Sequence, residues 1–222
     1  MIITRFAPSP TGELHIGSAR TALFAYLFAK HAEGKFLLRI EDTDRERFVE
    51  GSTERIIESL KWLGISLDNA ENIMIQSERK EIYKKYALEL VEKGKAYVCE
   101  CSKERLEALR KEQETNKQAP GYDSHCREMN LPYKEGCVIR LKMPKEGKAV
   151  VDDMIRGKVE FDFSLIDDPV ILKSDGFPTY HLAVVVDDKE MGITHVLRAE
   201  EWLPSTPKHL VLYKAFGWDT FA

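Results

Sequence analysis

The segment from Arg5 to Ser18 contains the residue types best suited to bind a phosphate ester. Two prolines and a glycine interrupt regular structure there, and a helical pattern begins close to His15. A helix N-terminus offers N–H groups and the positive end of a dipole, which suit phosphate. His15 can add a proton-bearing donor, and Gly17 lets a flat ring approach the backbone. The alternative is a tight turn whose histidine only caps the helix.

A second group of chemically capable residues consists of Cys99, Cys101 and Cys126. Thiolates are preferred ligands of Zn²⁺, and a tetrahedral site needs four donors. Tyr122 or His125 can supply the fourth. The group predicts a structural zinc site, and the alternative is a set of free thiols.

The elements around the first segment alternate between strand and helix. An apolar strand over Ile2–Phe6 precedes the loop that contains Pro8, Pro10 and Gly12, here called the proline loop. The helical spacing that follows it ends at Gly34. The run Phe36–Ile40 predicts a buried strand, after which Ser52 or Thr53 can cap a second helix. This order predicts an α/β fold with a parallel sheet, whose carboxyl end is the usual ligand crevice.

The pattern changes after Tyr97, where a charged helix and β-like runs at 138–142, 158–163 and 169–173 predict a smaller inserted α+β module. The alternation of helix and strand patterns resumes at Tyr180. It continues with a predicted strand over Thr194–Arg198 and a helix that ends at Phe216. We therefore predict a catalytic domain over 1–77 and 178–222, and an inserted domain over 78–177.

Composition excludes several classes of protein. The chain has 222 residues, of which 43% are hydrophobic and 32% charged, so it is neither disordered nor a membrane protein. Its N-terminus lacks the pattern of a signal peptide, and four cysteines are too few for a disulfide scaffold. We expect a cytoplasmic protein. The net charge of −4 neither indicates nor excludes nucleic-acid binding.

Several long strings resemble the class I glutamyl-tRNA synthetases, in the order found in that family. They cover nearly the whole chain: R-F-A-P-S-P-T-G-E-L-H-I-G-S-A-R-T-A-L-F at 5–24, L-R-I-E-D-T-D-R-E-R at 38–47, Q-S-E-R at 76–79, I-R-G-K-V-E-F-D at 155–162, D-G-F-P-T-Y-H-L-A-V-V-V-D-D at 175–188 and M-G-I-T-H-V-L-R-A-E-E-W-L at 191–203. The resemblance implies a Rossmann-type sheet with an inserted acceptor-stem-binding module. It also implies activation of L-glutamate by ATP with Mg²⁺ and transfer to tRNA-Glu.

The resemblance also implies roles for individual residues. Glutamate is contacted by Arg5, Ser9, Glu41, Tyr180 and Arg198; ATP by Ala7, His15, Gly17, Glu201 and Trp202; tRNA by Arg45 and Arg47. His15 and Gly17 are the catalytic candidates. The spacing of Cys99, Cys101, Tyr122 and Cys126 resembles the zinc site of some members. The adjacent pair Asp187 and Asp188 is predicted to be structural, because neighbouring residues on one element face different ways.

Two features depart from the family pattern. The wider class I signature ends in a second histidine, and here that position is Ser18. The lysine-bearing loop and the anticodon-binding domains of the family do not occur in these 222 residues. The chain is therefore interpreted as the N-terminal portion of a longer, monomeric enzyme, with little or no activity alone. The alternatives are an enzyme like the one that glutamylates queuosine in tRNA-Asp, and a non-catalytic RNA-binding derivative.

Overall fold

The computed structural model describes residues 1–44 and 47–220. The chain forms two compact units. The first contains residues 1–80 and 183–204 with Thr220, and the second contains residues 81–182 and 205–219. Among the described residues, no helix combines the length and the apolar character that crossing a bilayer requires.

The first unit is built on three parallel strands. Their order is β1-β2-β3, where β1 is Ile3–Phe6, β2 is Lys35–Ile40 and β3 is Met74–Ile75. Helix α1 (Ile16–His31) connects the first two strands, and helix α2 (Ser52–Trp62) lies between the second and third. The predicted α/β class with a parallel sheet is confirmed. Arg5 pairs in register with Leu37, and Arg39 with Met74, so charged residues of adjacent strands lie near one edge.

Small residues let α1 pack closely on the sheet. Ala22, Ala25 and Ala29 are almost completely buried in the same cluster as Phe36 and Leu38. The short side chains bring the helix backbone near enough for the Thr4 hydroxyl to donate to the Ala25 carbonyl, 2.8 Å away. This contact is buried and fixes β1 against α1 next to Arg5.

Side chains take the place of a strand along part of β2. Asn69 accepts from the Leu38 N–H at 2.9 Å and donates to the Leu38 carbonyl at 2.8 Å. Asp68 accepts from the Phe36 N–H at 2.7 Å. These bonds satisfy backbone groups that the two-residue strand β3 does not reach, and so stabilise the strand that carries Arg39.

Two details of the prediction are wrong. The residues Thr194–Arg198 do not form a strand. The Thr194 N–H donates to the Ile3 carbonyl at 2.9 Å, but the Thr194 hydroxyl, not a carbonyl, accepts from the Ile3 N–H at 2.8 Å. A side chain thus occupies the place of the next ladder bond, and pairing stops. Nor does Ser52 or Thr53 cap α2, because the N-cap is Gly51.

The second unit combines helices with antiparallel strands. Its helices are α3 (Lys80–Glu92), α4 (Lys103–Thr115) and α6 (Thr206–Phe216), with α3 beginning at the last residue of the first unit, while α5 (Tyr180–Glu190) begins in the second unit and ends in the first. One sheet has the order β4-β5-β8, with β4 at Ala96–Cys99, β5 at Val138–Leu141 and β8 at Val170–Leu172. Strands β6 (Lys148–Asp153) and β7 (Gly157–Asp162) form a separate hairpin. Among these strands, β4 and β6 were not predicted.

A single buried carboxylate organises one end of the second unit. Asp168 accepts from the Tyr97 hydroxyl at 2.9 Å, from the Met143 N–H at 3.0 Å and from Arg127, whose Nη1 lies 2.6 Å from Oδ1. Although burial alone raises a carboxyl pKa, the bonds from Arg127, Met143 and Tyr97 hold the pKa of Asp168 below its usual value. The loop that contains Cys126 is thereby tied to the sheet.

Replacing Asn69 by Ala should destabilise the first unit. The Leu38 N–H and carbonyl would lose their partners in a buried setting, at a cost of about 1–3 kcal/mol. Urea unfolding would measure the change. Asn72→Ala is the matched control in the same turn and should cost roughly 0.5 kcal/mol or less. Equal losses in both variants would contradict the role of the Asn69 side chain.

Replacing Asp168 by Asn should destabilise the second unit by about 3 kcal/mol at pH 7, because a buried ion pair loses one partner. A carboxylate with a lowered pKa in the folded state stabilises above its unfolded pKa, and this contribution is lost as the pH falls through the folded value. The deficit of Asp168→Asn should therefore shrink on acidification below roughly pH 4. Urea unfolding at pH 7 and pH 3 would test this, with the exposed neighbour Asp167→Asn as control.

Candidate functional site

The proline loop after β1 is held in place by the segment that follows β2. The Glu41 N–H donates to the Pro8 carbonyl at 3.0 Å, and the Val49 N–H donates to the Pro10 carbonyl at 3.0 Å. The buried hydroxyl of Ser52 accepts from the Gly12 N–H at 3.2 Å and donates to the Gly12 carbonyl. These bonds leave the rest of the loop open to solvent, including the exposed Ser9.

His15 is the N-cap of α1. Its Nδ1 accepts from the Gly17 N–H at 3.1 Å, so in the neutral ring the proton is on Nε2, 2.9 Å from the Ser18 hydroxyl. A Cβ at position 17 would lie 3.0 Å from the imidazole. Glycine therefore makes room for the His15 ring. The capping role that the sequence allowed is present, and the exposed ring also faces solvent at the helix N-terminus.

Arg5 lies in the interior of the first unit and pairs with a buried carboxylate. It lies only 6% exposed and donates to Asp188 through two atoms, Nε at 3.0 Å from Oδ1 and Nη2 at 3.1 Å from Oδ2. Oδ1 of Asp188 also accepts from Nη1 of Arg39 at 2.6 Å. Burial raises the pKa of a carboxyl, but the two guanidinium groups lower the pKa of Asp188 below its ordinary value.

Glu41 continues this set of contacts. Arg39 donates to Glu41 Oε1 through Nη2 at 2.8 Å and Nε at 3.3 Å. In the part of the chain that the structure describes, no bond to Oε2 is seen. Burial raises the pKa of Glu41, whereas Arg39 and Arg5 lower it, and burial prevails. Arg5, Asp188, Arg39 and Glu41 thus form a row of alternating charge that ends in a cation and an anion.

Asp187 faces a different group of partners from its neighbour Asp188. It accepts from the Gln76 amide at 2.8 Å and from Arg79 Nε at 3.0 Å, and it lies 3.8 Å from Arg39 Nε. Arg79 also pairs with Glu190. Both aspartates are buried in ion pairs, as a structural role requires.

The remaining predicted residues are spread over several segments. Arg198 is half-buried in the loop before a short 3₁₀ helix, Glu200–Ser205, which contains the exposed Glu201 and Trp202. Tyr180 is the first residue of α5, and in the second unit its ring makes an edge contact with the His181 ring and a tilted contact with the His209 ring. Arg47 pairs with Asp44 at 2.6 Å on the surface, and Arg45 lies outside the described residues.

Three of the four cysteines come together in the second unit. The Sγ atoms of Cys99, Cys101 and Cys126 lie within 4.8 Å of one another, and all the cysteines are free thiols. The Tyr122 hydroxyl completes the group, at 3.3 Å from the Cys99 sulfur and 3.5 Å from the Cys101 sulfur. His125 is exposed and is not among the grouped ligands.

The thiols differ in acidity. Burial opposes ionisation of Cys99, but hydrogen bonds from Tyr122 and the Cys101 N–H lower the pKa of its thiol. Burial raises the pKa of Cys101 to about 11. The guanidinium of Arg140 stacks 3.7 Å above the Tyr122 ring and adds positive charge beside the sulfurs. Zn–S bonds of about 2.3 Å in a tetrahedron put sulfurs roughly 3.8 Å apart, so the spacing fits a metal centre.

The sequence predicts no ligand-related role for two residues of the site. Arg39, within the string at 38–47, is fully buried in β2, and Asp188 is predicted only to be structural. A charged residue inside an apolar strand was the available signal, because burying an arginine requires a counter-charge. The sequence does not show which carboxylate supplies it.

Comparisons with known proteins show what this chain is similar to. The glutamate–tRNA ligase of Dehalococcoides mccartyi strain CBDB1 is 59% identical over 96% of this chain and 45% of its own length. That of Fusobacterium nucleatum is 54% identical over 97% of this chain and 45% of its own. A crystal structure of a glutamate tRNA ligase from Elizabethkingia meningosepticum, in complex with its amino acid, superposes with a TM-score of 0.92. It is 43% identical over 99% of this chain and 48% of that one.

The chain thus spans about half the length of the curated relatives that it matches. The family model described as tRNA synthetases class I (E and Q), catalytic domain, matches residues 1–222. The parallel sheet, the His15 turn and the buried ionic row all lie within that match. The chain belongs to the catalytic-domain family of the class I tRNA synthetases, E and Q.

Proposed function

We propose that this chain is the amino-acid-activating portion of a glutamate–tRNA ligase. The observation that carries the proposal is the row of alternating charge from Arg5 to Glu41. It lies at the carboxyl ends of two adjacent parallel strands, the usual place for a ligand in an open α/β sheet. Glutamate has a side-chain carboxylate and an α-ammonium, which match a cation and an anion at the two ends of that row.

The proposed roles follow from the chemistry of the side chains. Arg5 binds the side-chain carboxylate of glutamate, with Arg198 and Tyr180 as further contacts. The Glu41 carboxylate accepts hydrogen bonds from the α-ammonium of glutamate. Ser9, on the exposed part of the loop, is a further proposed contact of glutamate. A planar guanidinium suits a carboxylate because it offers two parallel N–H donors.

ATP is proposed to bind at the His15 turn. His15 and Ile16 are exposed at the N-terminus of α1, where the positive end of the helix dipole and the His15 ring can attract phosphate oxygens. Ala7, Gly17, Glu201 and Trp202 are the proposed contacts of the nucleoside, and Mg²⁺ accompanies the phosphates. The glutamate α-carboxylate attacks the α-phosphorus, pyrophosphate leaves, and positioning and charge stabilisation supply the rate.

The acyl group is then transferred to tRNA-Glu. Residues 78–177 are proposed to form the acceptor-stem-binding domain, and residues 1–77 and 178–222 the catalytic domain. Arg45 and Arg47 are proposed phosphate contacts, whose effect should weaken with salt. We propose a cytoplasmic monomer. The names and identities of the relatives support this function over the queuosine-modifying alternative.

Zn²⁺ is proposed as a structural ion of the second unit. Cys99, Cys101 and Cys126 would hold it through their sulfurs and Tyr122 through its hydroxyl. The bound ion would cross-link Cys99 of β4 to the loop 121–126, which contains Tyr122 and Cys126. The lowered pKa of Cys99 supports the proposal, because a thiolate is the form that binds the metal.

Replacing Arg198 by Ala should reduce discrimination between glutamate and glutamine. Calorimetry would compare non-hydrolysable glutamyl- and glutaminyl-adenylate analogues. Loss of a charge-assisted bond costs about 1.5–3 kcal/mol, so the preference for the glutamyl form should fall roughly 10- to 150-fold. Arg198→Lys, which keeps the charge without the fork, should fall between the two. A preference unchanged in Arg198→Ala would refute the role of this arginine.

Protein purified without chelator should contain one zinc ion per chain by metal analysis. Cys126→Ser should lose the metal, and removing zinc from the unmodified chain should lower its melting temperature, since an ion bound only to the folded state stabilises it. Cys137→Ser is the control, because the Cys137 sulfur lies 3.6 Å from Glu100, outside the group. Sub-stoichiometric zinc with all four thiols titratable would contradict the proposal.

A further inference from the structure

We propose that Asp188 and Arg39 are positioning residues for glutamate recognition. They hold the two charged groups that receive the substrate, Arg5 and Glu41, in a fixed relation to each other. The inference rests on the function proposed above. Neither residue needs to touch the substrate.

The contact between Arg5 and Asp188 occupies one edge of the Arg5 guanidinium. A guanidinium has five N–H donors, and Asp188 takes two of them, one from Nε and one from Nη2. The donors at the outer edge, on Nη1 and Nη2, form a second fork. A second carboxylate can bind there while the first stays in place. Asp188 therefore fixes the plane of the guanidinium and leaves a bidentate edge for the substrate carboxylate.

Arg39 transmits the same constraint to Glu41. It is completely buried, and it binds Asp188 through Nη1 and Glu41 Oε1 through Nη2 and Nε. Both bonds to Glu41 end on Oε1, so the carboxylate is oriented by one oxygen only. Asp188 and Arg39 thereby make the cation and the anion of the proposed site parts of one hydrogen-bonded row.

Stability alone is a weak reason for this row. Removing several charges from water costs free energy that their attraction often fails to recover, and apolar residues of similar volume frequently serve as well. The residues at its two ends are the proposed substrate contacts. Charged groups that are held in place before the substrate binds favour recognition, because they need not reorganise on binding. The row is thus better explained by positioning than by stability.

Asp188→Asn is the variant that tests the inference, and Asp187→Asn is its matched control. Asp187 is adjacent and equally buried, but it is bonded to Gln76 and Arg79, and its approach to the row is the longer distance of 3.8 Å to Arg39 Nε. Asp188→Asn should weaken binding of the glutamyl-adenylate analogue about 10- to 100-fold, as misplacement of a recognition group does. Its preference over the glutaminyl analogue should fall, while AMP binding stays unchanged. Asp187→Asn should keep the affinity and the preference.

The outcomes separate the two proposals. If the unmodified 222-residue chain does not prefer the glutamyl analogue, the proposed function fails. If it does, and Asp188→Asn retains the same affinity and preference, only the positioning inference is overturned. A uniform loss of glutamyl, glutaminyl and AMP binding in Asp188→Asn would also overturn it, since a purely structural role predicts that result.

A measurement on the unmodified chain covers the case in which Asp188→Asn does not fold. The Arg5 Nε–H resonance in NMR should exchange slowly with water, because that proton is bonded to a buried carboxylate. The resonance should shift on adding the glutamyl analogue and not on adding AMP. Rapid exchange, or no shift with the bound glutamyl analogue, would show that Asp188 does not hold Arg5 for recognition.

Discussion

The first unit depends on the ion pairs that the Asp188 carboxylate forms with both Arg5 and Arg39. This carboxylate joins the end of α5 to two adjacent strands of the parallel sheet, and all three side chains are buried. Each charge is tolerated in the interior only because its partners are present, which makes the arrangement all-or-none. The same contact sets the direction of the guanidinium at the site.

The loop after β1 is constrained in a complementary way, by backbone bonds. Pro8, Pro10 and Gly12 are each held by the segment that follows β2, and in the last case through the Ser52 hydroxyl. Proline cannot donate from its nitrogen, but its carbonyl accepts, so the loop is anchored from outside through its carbonyls. The exposed His15 turn thereby follows a loop that is held at several points.

The second unit follows the same logic with different chemistry. Asp168 gathers donors from Tyr97, Arg127 and Met143, and it ties the loop that contains Cys126 to the sheet. Next to it, three thiols and a phenol converge with a guanidinium stacked above the ring. A buried anion thus fixes the framework, and the neighbouring donors form a site of metal-binding composition.

Local patterns in the sequence were sufficient for much of this. Apolar periodicity and the prolines predicted β1, α1, β2 and the parallel sheet, because those patterns report which face of each element is buried. The strand predicted at Thr194–Arg198 was wrong because a threonine hydroxyl replaced a ladder bond, and no local pattern encodes that choice. The motif strings were specific enough to indicate the family, which the match over 1–222 confirms.

The sequence by itself determined the composition of the site: which arginines, carboxylates, histidine and thiols are present, and their spacing along the chain. Only the tertiary structure decided their partners. Arg5 meets a carboxylate 183 positions away, Arg39 meets the same one across 149 positions, and the Tyr122 hydroxyl enters between two thiols. Pairing of buried charges depends on how helices and strands pack in three dimensions. Spacing along the chain does not show which of these buried charges lie close together in space.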